Sequence, residues 1–539
     1  MSHEYTYDIS MFRDTFETRF TYLNGFLRNV SRFGSRPALF DPHSGRRWTY
    51  RELNAEANRL AHALRADGVG KNDVVMFTLL NSPEFVFCYL AAHKIGAVAC
   101  PVNYRQGAGE IALVIDDSTP KAFIYDAEFG ELSGGALDLC ESKPAIKIVV
   151  GADDAVPAGQ VRYADYAADQ PENDPPIDFD PHIYDETTRL YTSGTTNRPK
   201  GVPINNINEV LSAHDVMMHF PLGPTDRTMN MTPWFHRGGI HSGGPCPTLY
   251  AGGEVVILRD FAPKRCLEYA AKYNISFLIG VPTIIAMLAR TQERTPHDLS
   301  ALRGIVTMGA PFEKSACEKY MKLLTPNIFN GYGTTESFWN TFLRPFDLPD
   351  NAGSAGRSCT DDEVRIVKLR EDGSQPDDLV PHDNVAEGEI IISSPAKSAF
   401  CYYNNPEMTE QKFYKGFLYT GDVGTWDENE FVTVRGRKDD MIVSAGENIY
   451  PPQIEAVLND HPKVAESAVI GAPDKLRGEV VAAYVVPSDP SLTVEELKEY
   501  CTNSPVLSSY KWPRIYNIVD SLPHTATGKI MHRALRNKA

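Results

Sequence analysis

Residues 73–102, DVVMFTLLNSPEFVFCYLAAHKIGAVACPV, decide the fold. Residues 73–80 read as a buried strand, 83–94 as a helix and 97–102 as a short second strand. Strand, helix and strand in that order imply a parallel sheet covered by helices. Upstream, Thr49 and Glu52 have capping-box spacing. Leu53, Ala57, Leu60 and Leu64 then mark one apolar face, and Gly68 ends the helix. Downstream, residues 254–309 repeat the rhythm as EVVIL, a helix through Ala271, SFLIGVP, another helix and GIVTMG. Residues 1–40 are aromatic-rich and aperiodic and read as an arm packed on the body. No internal repeat or low-complexity tract is present.

The character changes after residue 436. Two β-rich runs, AESAVIG and EVVAAYVV, are split by the turn-like PDKLRG, and Thr493 with Glu496 forms a second capping box. The charged segment RGRKDDM, residues 435–441, reads as the boundary loop. The expected architecture is α/β: a large body of several subdomains with βαβ-type sheets over residues 1–436, and a small mobile α+β domain over 437–539.

Composition narrows the function. The 539 residues carry a net charge of −17, which argues against nonspecific nucleic-acid binding, because neutralising phosphates needs a basic surface. With 42% hydrophobic and 23% charged residues the chain is of the ordinary globular class. The longest apolar run, residues 277–289, is broken by Gly280, Pro282 and Thr283, so no membrane span is expected. The first residues lack the basic and apolar regions of a signal peptide. Nine scattered cysteines without metal-ligand spacing read as buried, reduced thiols in a cytoplasmic protein. From residue 500 onward six Lys/Arg stand against one acidic residue: either a solvated terminus or a site for a polyanion.

Residues 191–201, YTSGTTNRPKG, carry the chemistry. Thr192, Ser193, Gly194, Thr195, Thr196, Lys200 and Gly201 combine small residues, hydroxyl donors and a point charge, the ingredients of an anion-binding loop. Pro199 stands where a Walker A loop has glycine, so the loop is of another kind. A solvent-exposed Ser/Thr turn is the plain alternative.

That segment resembles the phosphate loop of the adenylate-forming superfamily: AMP-forming acyl- and aryl-CoA synthetases, nonribosomal adenylation domains and luciferase. The chain departs from the family pattern at Asn197, usually glycine; Asn is the residue that best tolerates the same backbone. Further segments follow in family order. GYGTTES, residues 331–337, resembles the motif that implies Tyr332 beside adenine, Gly333 and Thr334 among the ATP/AMP-binding residues, Thr335 beside the α-phosphate and Glu336 on Mg²⁺. Gly309, Ala310 and Pro311 resemble the segment on the other side of the adenine. YTGD, residues 419–422, implies Asp422 on the ribose hydroxyls, and GRKDDMIVSAGENIYP, residues 436–451, implies Arg437 on ribose, Asp439 as hinge and Gly446 on the CoA path. Ala445 replaces a frequent glycine there. LPHTATGKI, residues 522–530, implies Lys529 as the adenylation lysine, with His524 where arginine is common.

The resemblance implies an ATP-dependent carboxylic acid–CoA ligase that uses ATP, Mg²⁺ and CoA. The carboxylate takes AMP from ATP with loss of pyrophosphate, and the CoA thiol then displaces AMP. WFHRGG, residues 234–239, is similar to the segment beside the acyl pocket, with His236 as gate. No acid lies between Met229 and Gly253 to pair a substrate ammonium. Trp234, Phe338 and Trp339 ring the expected pocket and favour an aryl, alicyclic or short-to-medium acid; core packing is the other reading of these aromatics. Arg477 is similar to the contact at the nucleotide end of CoA, with Lys475, Lys511 and Arg514 as further candidate cations. A ligase loading a carrier-protein thiol, an oxidative relative such as a luciferase, and a non-catalytic nucleotide-binding relative stay open, and a homo-oligomer is compatible with all of them.

Overall fold

Helices begin where local chemistry closes their first turn. In the computed structural model, which describes residues 8–152, 156–192, 199–310, 312–370, 373–444, 447–474, 477–504, 507–524 and 530–536, helix Tyr50–Ala66 opens on the expected capping box. The Thr49 N–H donates to Glu52 Oε2 at 2.8 Å, and the Glu52 N–H donates back to Thr49 Oγ1 at 3.3 Å. Thr493 and Glu496 do the same for helix Val494–Thr502. Residues 10–33 depart from the expected arm: they form helices Ser10–Arg19 and Tyr22–Phe33. Thr21 caps the second, and Tyr22, Gly25, Phe26 and Asn29 bury one face at spacings of three and four. That stripe mixes aromatic, glycine and amide side chains, which hid its period.

The βαβ reading gives two sheets. The seven-stranded sheet holds Val74–Thr78 at its centre, with helix Pro83–Lys94 leading to the parallel neighbour Val98–Pro101. Its last two strands, Glu186–Thr192 and Lys200–Asn205, form an antiparallel hairpin. The nine-stranded sheet runs parallel through Glu254–Val256, Arg227–Asn230, Phe277–Gly280, Gly304–Met308 and Ile328–Thr334, then closes antiparallel on Phe338–Leu343 and Arg357–Ser358. One apolar core joins Leu39 and Val255 of this sheet to Val75, Phe77 and Ile124 of the other through Leu60, Leu64, Val86 and Leu90. Parallel strands buried on both faces read as continuous apolar runs, which is why residues 74–78 show no alternation.

A third, five-stranded sheet runs antiparallel through Glu363–Val367, Gly388–Ser393 and Phe417–Trp426, with Val432–Arg437 on the last of these. Arg435, Gly436 and Arg437 therefore end a strand and do not belong to a loop; the chain leaves through the 3₁₀ turn Lys438–Asp440. Beyond it, Ile442–Ser444, Val464–Asp474, Gly478–Pro487 and Ile515–Ile518 share a further sheet with its own core around Ile454, Val469, Val481 and Leu497. The fold is thus mixed α/β, a large N-terminal body with parallel sheets and a smaller C-terminal domain.

Gly356 joins the third sheet to the nine-stranded one. Its carbonyl accepts from the Val432 N–H at 2.9 Å, its φ is +82°, and an added Cβ would lie 2.1 Å from the Phe342 carbonyl carbon. Gly356→Ala should cost about 2–4 kcal/mol, the left-handed backbone and the overlap combined, read as a lower urea midpoint.

Candidate active site

Strand Ile328–Thr334 reverses into Phe338–Leu343 with Thr334 opposite Phe338, so residues 335–337 form a tight turn. Gly333 is required there: a Cβ would sit 1.6 Å from the Phe338 carbonyl oxygen. Thr334 and Ser337 hydroxyls pair at 3.0 Å, and Ser337 Oγ donates to Asn340 Oδ1 at 2.6 Å. Phe338 takes φ +63°, a strained value for an aromatic residue.

Beside this turn, Tyr332 meets two of the expected nucleotide residues from the third sheet. The Tyr332 hydroxyl donates to Asp422 Oδ2 at 2.7 Å, and Arg437 Nη1 donates to Asp422 Oδ1 at 2.9 Å. Burial, then the Asp422 charge, raises the Tyr332 pKa well above the usual phenol range, so it stays a donor. Asp422 and Arg437 face each other across paired strands, which fixes their spacing. Tyr332, Asp422 and Arg437, far apart in sequence, thus meet in one cluster.

Glu336 sits on the turn with its Oε1 accepting from the Tyr402 hydroxyl at 2.5 Å, while its backbone carbonyl accepts from the Ala399 N–H at 2.8 Å. A single half-buried carboxylate suits a hard cation such as Mg²⁺, whose other ligands would be phosphate oxygens and water; it does not suit a cation that needs nitrogen or sulfur ligands. Lys200 begins a strand opposite Thr192 and is half-buried. Burial, with help from Lys412, lowers its pKa, against the opposing pull of Glu336. Ser193, Gly194, Thr195 and Thr196 lie outside the described residues, as do Pro311, Gly446 and Lys529. Gly309 ends strand Gly304–Met308 with φ +85°, and Ala310 beside it is exposed.

His236 caps the short helix Arg237–Ile240: its Nδ1 accepts from the Gly239 N–H at 3.1 Å, which leaves the ring proton on Nε2. The three expected pocket aromatics separate. Phe338 and Trp339 stack at 4.8 Å in one cluster, whereas Trp234 packs on Phe85 at 5.6 Å in the core between the sheets. Trp234 therefore leaves the pocket reading and joins the packing reading. Arg477 is exposed, its N–H donating to Asp474 Oδ1 at 2.9 Å, and Asp439 is exposed on the 3₁₀ turn, its carbonyl accepting from Arg536 Nη1 at 2.8 Å.

Three residues the sequence reading passed over complete the arrangement: Arg237, Lys397 and Tyr402. Arg237 Nη1 donates to the Thr335 carbonyl at 2.6 Å, and Lys397 Nζ donates to the Trp339 carbonyl at 2.7 Å. Their partners lie 98 and 58 residues away, so no local pattern marks them.

Comparison with known proteins fits this geometry. The family profile of AMP-binding enzymes matches residues 26–403, and that of the AMP-binding enzyme C-terminal domain matches 453–529. The chain belongs to the AMP-binding enzyme family. It is 31% identical over 502 residues to a long-chain-fatty-acid–CoA ligase of Mycobacterium tuberculosis, covering 93% of this chain and 95% of that one. It is 32% identical over 499 residues to a feruloyl-CoA synthase of an Amycolatopsis species, covering 92% and 95%. The solved structure of the anthranilate CoA ligase AuaEII with anthranoyl-AMP superposes with a TM-score of 0.88 at 27% identity, covering 97% of both chains. Among the described residues no helix is long and apolar enough to cross a membrane.

The segment after Lys529 provides a test of how its helix is docked. In helix His532–Arg536, His532 Nε2 meets Glu455 Oε1 at 2.6 Å. Burial disfavours the imidazolium, but the Glu455 hydrogen bond and charge, with Asp440 behind them, outweigh it and raise the His532 pKa. The stabilisation is fully present below the unfolded value of about 6.5 and is lost as pH rises through the folded one. The difference in melting temperature between wild type and His532→Gln should therefore shrink from pH 6 to pH 8.5.

Proposed function

We propose that this protein is an AMP-forming carboxylic acid–CoA ligase acting on an aryl, alicyclic or short-to-medium-chain acid. Acid–thiol ligation with ATP, Mg²⁺ and CoA is the chemistry of its family and of its relatives. The observation that carries the site assignment is the meeting of Tyr332, Asp422 and Arg437 next to the turn bearing Glu336. An aromatic face, a carboxylate fixed to accept from two hydroxyls and a neighbouring cation suit an adenosine.

A carboxylate and a triphosphate repel, so the first half-reaction depends on cancelling charge and holding position. Lys200 and the hydroxyls of residues 192–196 would take the β- and γ-phosphates, and Thr335 the α-phosphate. Bound at Glu336, Mg²⁺ would neutralise phosphate charge as pyrophosphate departs. Lys529 would lie between the carboxylate and the α-phosphate. The carboxylate oxygen then bonds the α-phosphorus as the bond to pyrophosphate breaks. In the second half-reaction the CoA thiolate bonds the acyl carbon and AMP leaves. We assign residues 437–539 as a cap turning about Asp439, which exchanges Lys529 for the Gly446 loop between the two steps, with Arg477 toward the nucleotide of CoA. His236 would gate the acyl side.

Phe338 and Trp339, stacked directly after the turn that bears Glu336, support a compact acid. The absence of an acidic residue from 230–252 supports an acid without an ammonium group. A cytoplasmic location suits eight buried free cysteines.

Benzoate, cinnamate, cyclohexanecarboxylate, hexanoate and palmitate should be compared with ATP and Mg²⁺, with and without CoA. CoA-dependent AMP release at least tenfold higher for the compact acids than for palmitate is expected. Palmitate as best substrate overturns the size reading, and pyrophosphate exchange without CoA-dependent product points to a carrier-protein thiol. No turnover of any acid would favour a binding-only relative. Lys529→Ala should abolish adenylate formation while leaving thioester formation from supplied acyl-AMP within about fivefold; an equal loss in both steps removes its assigned role.

A further inference from the structure

Arg237 is 2% exposed, and its fork reaches three separate parts of the chain. Nη1 donates to the Thr335 carbonyl at 2.6 Å, and Nη2 donates to the Lys397 carbonyl at 2.9 Å and Ser212 Oγ at 3.3 Å. Its Nε–H has no partner among the described residues, where the guanidinium also forms no salt bridge. The guanidinium carbon lies 5.5 Å from the Phe338 ring centroid.

Burying a guanidinium without a counter-ion is costly, and burial lowers the Arg237 pKa to about 10, which still leaves it charged at neutral pH. The carboxylates whose charge acts on it are Glu209, Glu336 and Asp362. Glu209 is already paired with His241 at 2.6 Å, and Asp362 with Lys397 at 2.9 Å. Glu336 is the remaining one, and it sits on the turn that Arg237 holds. A cation kept dry and unpaired beside that turn is stabilised when an anion arrives there. It is wedged between the His236 segment and the residues 335–338, the two segments assigned to the acid and to the phosphate.

We propose that Arg237 is a positioning residue for adenylation: it fixes the Thr335–Glu336 backbone and draws the substrate carboxylate toward the α-phosphate with its unpaired charge. This rests on the reaction proposed above. A strut with no electrostatic part would weaken both half-reactions alike, since both need an ordered turn. The assigned role weighs on the first, where carboxylate and triphosphate meet.

The test compares Arg237→Met and Arg237→Lys with wild type, using the panel acid turned over fastest and its synthetic acyl-AMP. For Arg237→Met, adenylation kcat should fall about 100-fold, the scale of losing one preorganised donor. KM for ATP should shift less than threefold, and thioester formation from acyl-AMP should stay within fivefold. Arg237→Lys keeps the charge but not the fork and should recover at least part of the adenylation rate. If the methionine variant does not fold, the lysine variant decides alone: a loss confined to adenylation supports the role. Wild-type adenylation in the folded variants, or equal loss in both steps, overturns it. A wild-type enzyme that adenylates no acid instead overturns the proposed function.

Discussion

Lys397, 2% exposed, stands between Asp215 and Asp362 at 2.9 Å from each and gives its remaining hydrogen bond to the Trp339 carbonyl. The rest of the site leans on this arrangement. Its own carbonyl receives Arg237, two residues further the Ala399 N–H donates to the Glu336 carbonyl, and Asn208 Nδ2 donates to the carbonyls of Ala396 and Ser398. Segment 396–399 is thus a rail, clamped to a helix on one side and to the turn 335–339 on the other. A turn with a strained Phe338 persists only when its surroundings over-determine it. Here the over-determination can be counted bond by bond.

The same charges explain two buried groupings of acid, histidine and cysteine that resemble metal sites by proximity alone, Asp215–His219–Cys359 and Glu209–His241–Cys246. Asp215 accepts from His219 Nε2 at 3.0 Å and from Lys397, and His219 Nδ1 accepts from Arg344. Lys397 is thus shared by Asp215 and Asp362, and a divalent ion would meet carboxylates that already hold a buried cation. In the other grouping, Glu209 accepts from His241, Thr188 and the Cys246 thiol. The His241 charge and hydrogen bond outweigh burial and hold the Glu209 pKa far below the carboxylate range. Burial first, then Glu209, keeps Cys246 a protonated thiol. Both groupings read as internal pairing, with both oxygens of each carboxylate already accepting hydrogen bonds.

What the sequence disclosed followed from range. Capping boxes at Thr49 and Thr493, apolar strands and helix faces are set by residues within a few positions, and these readings match the structure. The linear motifs likewise brought Tyr332, Asp422 and Arg437 into one list before the fold brought them into contact. Helix Tyr22–Phe33 escaped because its buried stripe includes Gly25 and Asn29, which no hydrophobic period registers. Trp234 packs on Phe85 in the core between the sheets, a contact across 149 residues that its sequence neighbours do not announce. Arg237 and Lys397 were silent for a deeper reason. A buried cation has no pattern of its own; its meaning lies in carbonyls and carboxylates tens to hundreds of residues away.

The junction at residues 437–441 is built from different material. Lys438 approaches Glu389 at 3.7 Å with its side chain 45% exposed, and Arg536 approaches Asp440 at 3.8 Å. Long pairs that keep partial contact with water are worth about 0–1 kcal/mol each. Breaking a buried pair such as Lys397 with Asp362 costs about 3–5 kcal/mol. The turning about Asp439 proposed above would therefore break weaker contacts than those that hold the rail and the turn. The proposed two-step reaction, with one fixed anion site and two alternative covers, calls for that inequality. Under the proposed cap rotation, the contacts at the junction are long and partly wet, whereas those that hold the turn 335–339 are short and dry.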